Sequence, residues 1–184
     1  MSAEVVGRHM PPVVTLDDLA AMMAADPHGH RYETSSEGAL SVLPPADSEH
    51  AAIASRLLVW LALGGWPAEQ VLQAAGVRIP GPEGDGGRIP DLTLWAKPQP
   101  RSVWLTVADL LLIVEIVSPG SEAMDELVKR HEYARAGIPR YWVVERDAAQ
   151  TVTLYRTGPA GQYEAVTMMP LAWLLNTSPE DHLT

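Results

Sequence analysis

The chain has no cysteine. This excludes disulfides, thiolate nucleophiles and Cys-ligated zinc or iron–sulfur centres, and it fits a reducing compartment. Positive charge is scarce: 13 Lys and Arg stand against 23 Asp and Glu, leaving a formal charge of −10 over 184 residues. Broad electrostatic capture of nucleic acid is disfavoured, although a local basic groove or a cation bridging carboxylates to phosphate stays open. No segment approaches the ~20 uninterrupted apolar residues of a membrane helix. The longest run, Leu110 to Val117, already contains Glu115. The start lacks the basic-then-apolar layout of a secretion signal, so a cytoplasmic location is expected. No Gly-x-Ser-x-Gly elbow is present. The glycine-rich stretch 81–87 is followed by no helix or Lys-Ser/Thr pair, so it reads as a turn or mobile loop and not as a phosphate cradle.

What remains is an ordinary globular composition, with 47% hydrophobic and 20% charged residues, enough for one domain with a real core. Residues 1–14 carry no periodicity and read as a loose leader. Thr15 followed by Asp18 resembles a capping box and predicts a helix to about Ala25. Arg31–Thr34 and Ala39–Leu43 read as a strand pair. Asp47 or Ser48 caps a helix to about Leu63, with Ile53, Leu57, Leu58, Trp60 and Leu61 on its apolar face. Strands are predicted over Val71–Ile79, Ile89–Trp95, Leu110–Val117, Arg140–Glu145, Thr151–Tyr155 and Tyr163–Thr167. A helix is predicted from Ser118-Pro119 to about Ala136, ended by Gly137. The order predicts an α/β fold, a mixed β-sheet flanked by helices, over residues 15–170, with 171–184 as a tail.

Carboxylates inside strands are the informative feature, because burying one is costly unless it is paired or holds a metal. Glu115 interrupts the apolar run, and Asp91 follows Pro90 at the start of a strand. If the two strands are neighbours, both carboxylates meet near one sheet end. Mg²⁺ commonly takes one or two protein carboxylates, several waters and substrate phosphate oxygens. The alternatives are that Glu115 pairs with an arginine and that Asp91 caps a turn. For Lys129 the alternative is an exposed pair with Asp125.

Ile89-Pro90-Asp91-Leu92, then Leu112-Ile113-Val114-Glu115-Ile116-Val117-Ser118-Pro119, then Asp125, Lys129, Tyr133-Ala134, Gly137-Ile138-Pro139 and Tyr141-Trp142-Val143-Val144 together resemble the Uma-type "putative restriction endonuclease" family. These are bacterial proteins of the PD-(D/E)xK nuclease superfamily. Tyr32-Glu33, Gly38, Pro44 and His50 also match the pattern. The resemblance implies a restriction-endonuclease-like core and hydrolysis of DNA phosphodiester bonds with Mg²⁺ or Mn²⁺. It implies Asp91 and Glu115 as metal ligands, and Asp91, Glu115, Lys129 and Glu33 as catalytic residues. The superfamily lysine two residues beyond Glu115 is replaced by Val117, and Lys129 on the following helix stands in for it. Ala39 occupies a position that is usually acidic. Glu33 is a second-site ligand or orients Lys129; His50 is a base, a phosphate contact or a surface residue near a cap. Tyr133, Tyr141 and Trp142 are expected in the core. A homodimer is expected, because two related sites cut a duplex most simply. The alternative function is a non-catalytic binding module that keeps the nuclease fold.

Overall fold

The computed structural model describes residues 14–43, 45–82, 84–117 and 124–183, with the side chains of 124–126 left aside. The expected leader, apart from Val14, and the expected helix start at Ser118-Pro119 lie outside the described residues, as does the Asp125 side chain.

Local sequence signals account for the first elements. Helix α1 (Leu16–Ala25) opens on a full capping box: the Thr15 hydroxyl accepts from the Asp18 N–H, and the Asp18 carboxylate accepts from the Thr15 N–H. Strands β1 (Arg31–Thr34) and β2 (Leu40–Leu43) form the expected hairpin. Helix α2 (Ser48–Leu63) is capped by Asp47, whose side chain accepts from the His50 N–H, and Gly64 closes it.

Beyond this the chain builds two mixed sheets where one was expected. A single strand over Val71–Ile79 does not form. Ala74 adopts a φ of 49° and breaks it into β3 (Val71–Gln73) and β4 (Gly76–Ile79), which belong to different sheets. The expected loop over 81–87 gives way to strand β5 (Gly86–Arg88). Its glycines serve close packing: a Cβ on Gly86 would sit 2.8 Å from the Ser36 nitrogen, and one on Gly87 would sit 2.8 Å from the Trp104 ring and Leu16. Strand β6 (Leu92–Trp95) starts three residues later than expected. The short strand β7 (Trp104–Thr106), between a proline-rich stretch and a 3₁₀ turn, was not foreseen. Strand β8 (Leu110–Ile116) follows the apolar run. A π-helical turn (Met124–Lys129) then leads into helix α3 (Arg130–Arg135). Strands β9 (Arg140–Val144), β10 (Thr151–Thr157) and β11 (Tyr163–Pro170) complete the sheets, and the short helices α4 (Leu171–Leu174) and α5 (Glu180–Leu183) end the chain.

The first sheet has the order β2-β1-β5-β4-β7 and the second β11-β10-β9-β8-β6-β3. The β8–β9 pair is parallel, and its crossover passes through α3. One face of the second sheet packs on α2 and α4, through Leu92, Leu94, Leu112, Val114, Ile116, Trp142 and Val144 against Ile53, Leu57, Leu61, Leu171 and Leu174. Residues 171 and 174, past the boundary expected at 170, are thus part of this core. The other face meets α3 and the first sheet, through Ile113, Val117, Tyr141 and Val143 against Tyr133, Ile138, Val77 and Ile79.

Candidate active site

The site forms where β1, β5, β6, β8 and α3 converge. Leu92 pairs with Val114 across the β6–β8 ladder, so Asp91 and Glu115 take the next adjoining positions at its end. Asp91 Oδ2 accepts from the Ile116 N–H at 2.8 Å and lies 3.1 Å from His50 Nε2. Its Oδ1 has no protein partner among the described residues. Glu115 is 3% exposed. Its Oε1 accepts from the Tyr133 hydroxyl at 2.7 Å and stands 3.0 Å from Lys129 Nζ.

Helix geometry places the other side chains. Lys129, Glu132 and Tyr133 have i, i+3 and i+4 spacing, so they share one face, and all three are buried. Lys129 is therefore buried rather than exposed. The π-helical turn ending at Lys129 is of a kind that recurs at functional sites. Arg130 lies on a different side, 5.4 Å from the centre of the Tyr155 ring, while His131 and Arg135 are exposed.

Glu33 comes from the first sheet. Thr34 pairs with Gly87, so Glu33 adjoins Arg88 in the same register. Glu33 Oε1 accepts from the Ile89 N–H at 2.6 Å, and Oε2 lies 3.3 Å from Arg88 Nη1 and 3.7 Å from Lys129 Nζ. The structure thus brings Glu33, Glu115 and Lys129 into one buried chain of contacts, with Asp91 beside it through Ile116.

Arg88, Glu132 and Ser36 also belong to this cluster and were missed in the sequence. Arg88 Nε donates to Glu132 Oε2 at 2.7 Å, and Glu132 Oε1 accepts from the Ser36 N–H and hydroxyl. Arg88 Nη2 is 2.6 Å from the same Glu132 oxygen but off hydrogen-bonding geometry, and it is a buried nitrogen without a hydrogen-bond partner. Burial alone would pull the Arg88 pKa down, but the charge of Glu33, with Tyr133 and Glu132, outweighs it and raises the pKa. Burial, reinforced by the Glu115 charge, pushes the Tyr133 phenol well above its ordinary range. One signal pointed to a missed residue: Glu132 shares the inward helical face of Lys129.

Charge counting bears on a metal. Glu33, Asp91, Glu115 and Glu132 carry four formal negative charges against the two positive charges of Arg88 and Lys129, with His50 alongside. The deficit equals one divalent cation. Among the described residues no three His, Asp or Glu side chains form a cage on their own. The Asp91 and Glu115 carboxylates are oxygen donors of the kind hard divalent cations take.

Mixed sheets flanked by helices, joined here by a crossover between the parallel strands β8 and β9, make a restriction-endonuclease-like fold. The profile of the Uma2 family, described as "Putative restriction endonuclease", matches residues 16–180, and the chain belongs to that family. It is similar to a crystal structure described as "a putative nuclease belonging to DUF820" from Anabaena variabilis. The two share 21% identity over 92% of this chain and 97% of the other, with a TM-score of 0.63. No curated protein matches the chain. Among the described residues no helix is long and apolar enough to cross a membrane.

Proposed function

We propose that the protein is a Mg²⁺- or Mn²⁺-dependent endonuclease that hydrolyses DNA phosphodiester bonds in the cytoplasm, working as a two-fold homodimer. The observation that carries this reading is the buried junction of Glu115 with Lys129, 3.0 Å apart, at the ladder end that also holds Asp91. A divalent cation there supplies Lewis-acid stabilisation and a water of lowered pKa. Asp91 and Glu115 would hold it. The Ile116 N–H and His50 both fix Asp91 Oδ2, which leaves Oδ1 for the ligand role. Lys129 brings a fixed positive charge beside the phosphate, the site of charge build-up in phosphoryl transfer. Glu33, with Oε2 3.7 Å from that ammonium, restrains it together with Glu115.

The test is conversion of supercoiled plasmid by the purified protein. Nicked and linear products are expected with Mn²⁺ and none with EDTA. Asp91→Asn and Lys129→Ala should each lower the rate by about 100-fold or more. The net charge of −10 favours the second reading, a module that keeps the fold and cuts nothing. Thermal melts separate the two. A nuclease gains stability from Mn²⁺ by mass action. Intact plasmid together with a melting temperature indifferent to Mn²⁺ supports the module.

A further inference from the structure

We infer that Arg88 is a positioning residue: its buried guanidinium, clamped between Glu33 of β1 and Glu132 of α3, fixes the Lys129 ammonium against Glu115. The inference deepens the endonuclease reading and rests on it for the role of Lys129.

Four observations meet at this side chain. Arg88 is 0% exposed, and the neighbouring Gly86 and Gly87 pack so closely on Ser36, Trp104 and Leu16 that a Cβ on either would meet them at 2.8 Å. Glu33 Oε2 is shared between Arg88 Nη1 at 3.3 Å and Lys129 Nζ at 3.7 Å. Both oxygens of Glu132 are occupied, one by Arg88 and the other by Ser36. Glu132 lies three residues after Lys129, so anchoring one sets the rotation of the helical turn that carries the other. The arrangement is a relay from sheet to helix. Arg88 neutralises two carboxylates that would otherwise compete for Lys129, and its planar fork also fixes where they stand. A lysine, with a compact point charge on a flexible stem, would do only the first. Without Arg88, Glu33 and Glu132 draw the ammonium away from Glu115.

Composition makes the test simple, because the chain contains two lysines, Lys97 and Lys129. Selective ¹³C labelling at lysine Cε therefore gives two signals. Lys97 is exposed and acts as the internal reference. In the wild type the two ε-methylene protons of Lys129 should be inequivalent, as in a held side chain, and those of Lys97 averaged. In Arg88→Gln the Lys129 signal should move and its methylene pair should merge, with Lys97 unchanged. Because that variant strands two buried carboxylates, the deciding protein is the double variant Arg88→Met, Glu132→Leu. It removes one charge of each sign at similar volume, an exchange that buried ion pairs often tolerate. The Lys129 signal should be altered there too, with kcat on plasmid lowered and KM held. A wild-type Lys129 signal in the folded double variant means that Arg88 merely balances charge, and overturns the positioning role. The spectra need neither metal nor DNA. A wild type that never cuts, combined with an altered Lys129 signal in the variants, would sink the nuclease reading and leave the positioning intact.

Discussion

Strand β8 shows the protein two unlike faces. Leu112, Val114 and Ile116 enter a wholly apolar layer with α2 and α4. Ile113 and Val117 enter a second layer, and between them stands Glu115, held by Lys129 and Tyr133. Val114 and Glu115 are 0% and 3% exposed, so burial alone does not distinguish them. The partners across the gap do. Opposite Val114, helix α2 presents Ile53, Leu57 and Leu61, which offer contact area, while its His50 reaches Asp91 instead. The π-helical turn and the helix α3 that follows it offer an ammonium, from Lys129, and a hydroxyl, from Tyr133, one turn apart. The first face supplies stability through area removed from water, about 25 cal/mol per Å². The second gives up some of that for a charged group in a low-dielectric setting, where electrostatics act strongly.

Moving the carboxylate by one residue tests this contrast most severely. Val114→Glu places a charge against α2 with no partner, and it should cost more than about 4 kcal/mol. Circular dichroism should show a largely unfolded chain at room temperature. Trp142→Ala, which hollows out the apolar layer beside Trp60, should cost about 3–5 kcal/mol in a urea melt with the active-site contacts retained. Glu115→Gln should be milder in EDTA, about 1–3 kcal/mol, because Lys129 keeps Glu33 and Tyr133 keeps an oxygen acceptor. The same variant should lose any stabilisation by Mn²⁺. A loss as large as that of Val114→Glu would mean that the two faces are energetically alike. Tyr133→Phe gives the smallest effect at neutral pH, about 1 kcal/mol.

The pH dependence of Tyr133 has a definite sign. Its folded pKa is raised above the ordinary value of 10.0 by burial and by Glu115. The unfolded chain therefore releases this proton first. Stability from this group is intact below pH about 10 and is lost as pH rises beyond it, by at most about 1.4 kcal/mol per pH unit. Tyr133→Phe should lack that component, so the alkaline limbs of the two stability curves should converge. Parallel limbs would contradict it.

Features encoded by near neighbours in the chain were legible in the sequence. The capping box of Thr15 and Asp18, the Asp47 cap, the hairpin and the apolar run of β8 each depend on residues a few positions apart. Asp91, Glu115, Lys129 and Glu33 were picked out by a misplaced carboxylate and by likeness to known sequences, and the fold gathers them in one region. Arg88 was not legible, because its partners Glu33 and Glu132 are 55 and 44 residues away. Strand β5 was hidden for a related reason. Gly86 and Gly87 read as loop residues, yet they are small because Ser36 and Trp104, brought near by the fold, leave no space. The division of Val71–Ile79 between two sheets depends on Ala74 in a left-handed conformation, where alanine gives no warning.

The hydrogen bond between Ser36 and Glu132 joins residues 96 positions apart, and this has a consequence for biosynthesis. Translation proceeds at about 5–20 residues per second from the N-terminus. Glu33, Arg88, Asp91 and Glu115 leave the ribosome before Lys129 and Glu132 do. For that interval the emerging chain carries three carboxylates and one guanidinium where the mature protein sets a fifth and a sixth charged group among them. Nor can parallel strand β9 dock on β8 before its crossover has been made. The second sheet must therefore close late. A chain grown only as far as Ile116 holds Glu115 with no Lys129 beside it, so the buried cluster can assemble only after Lys129 and Glu132 have been made.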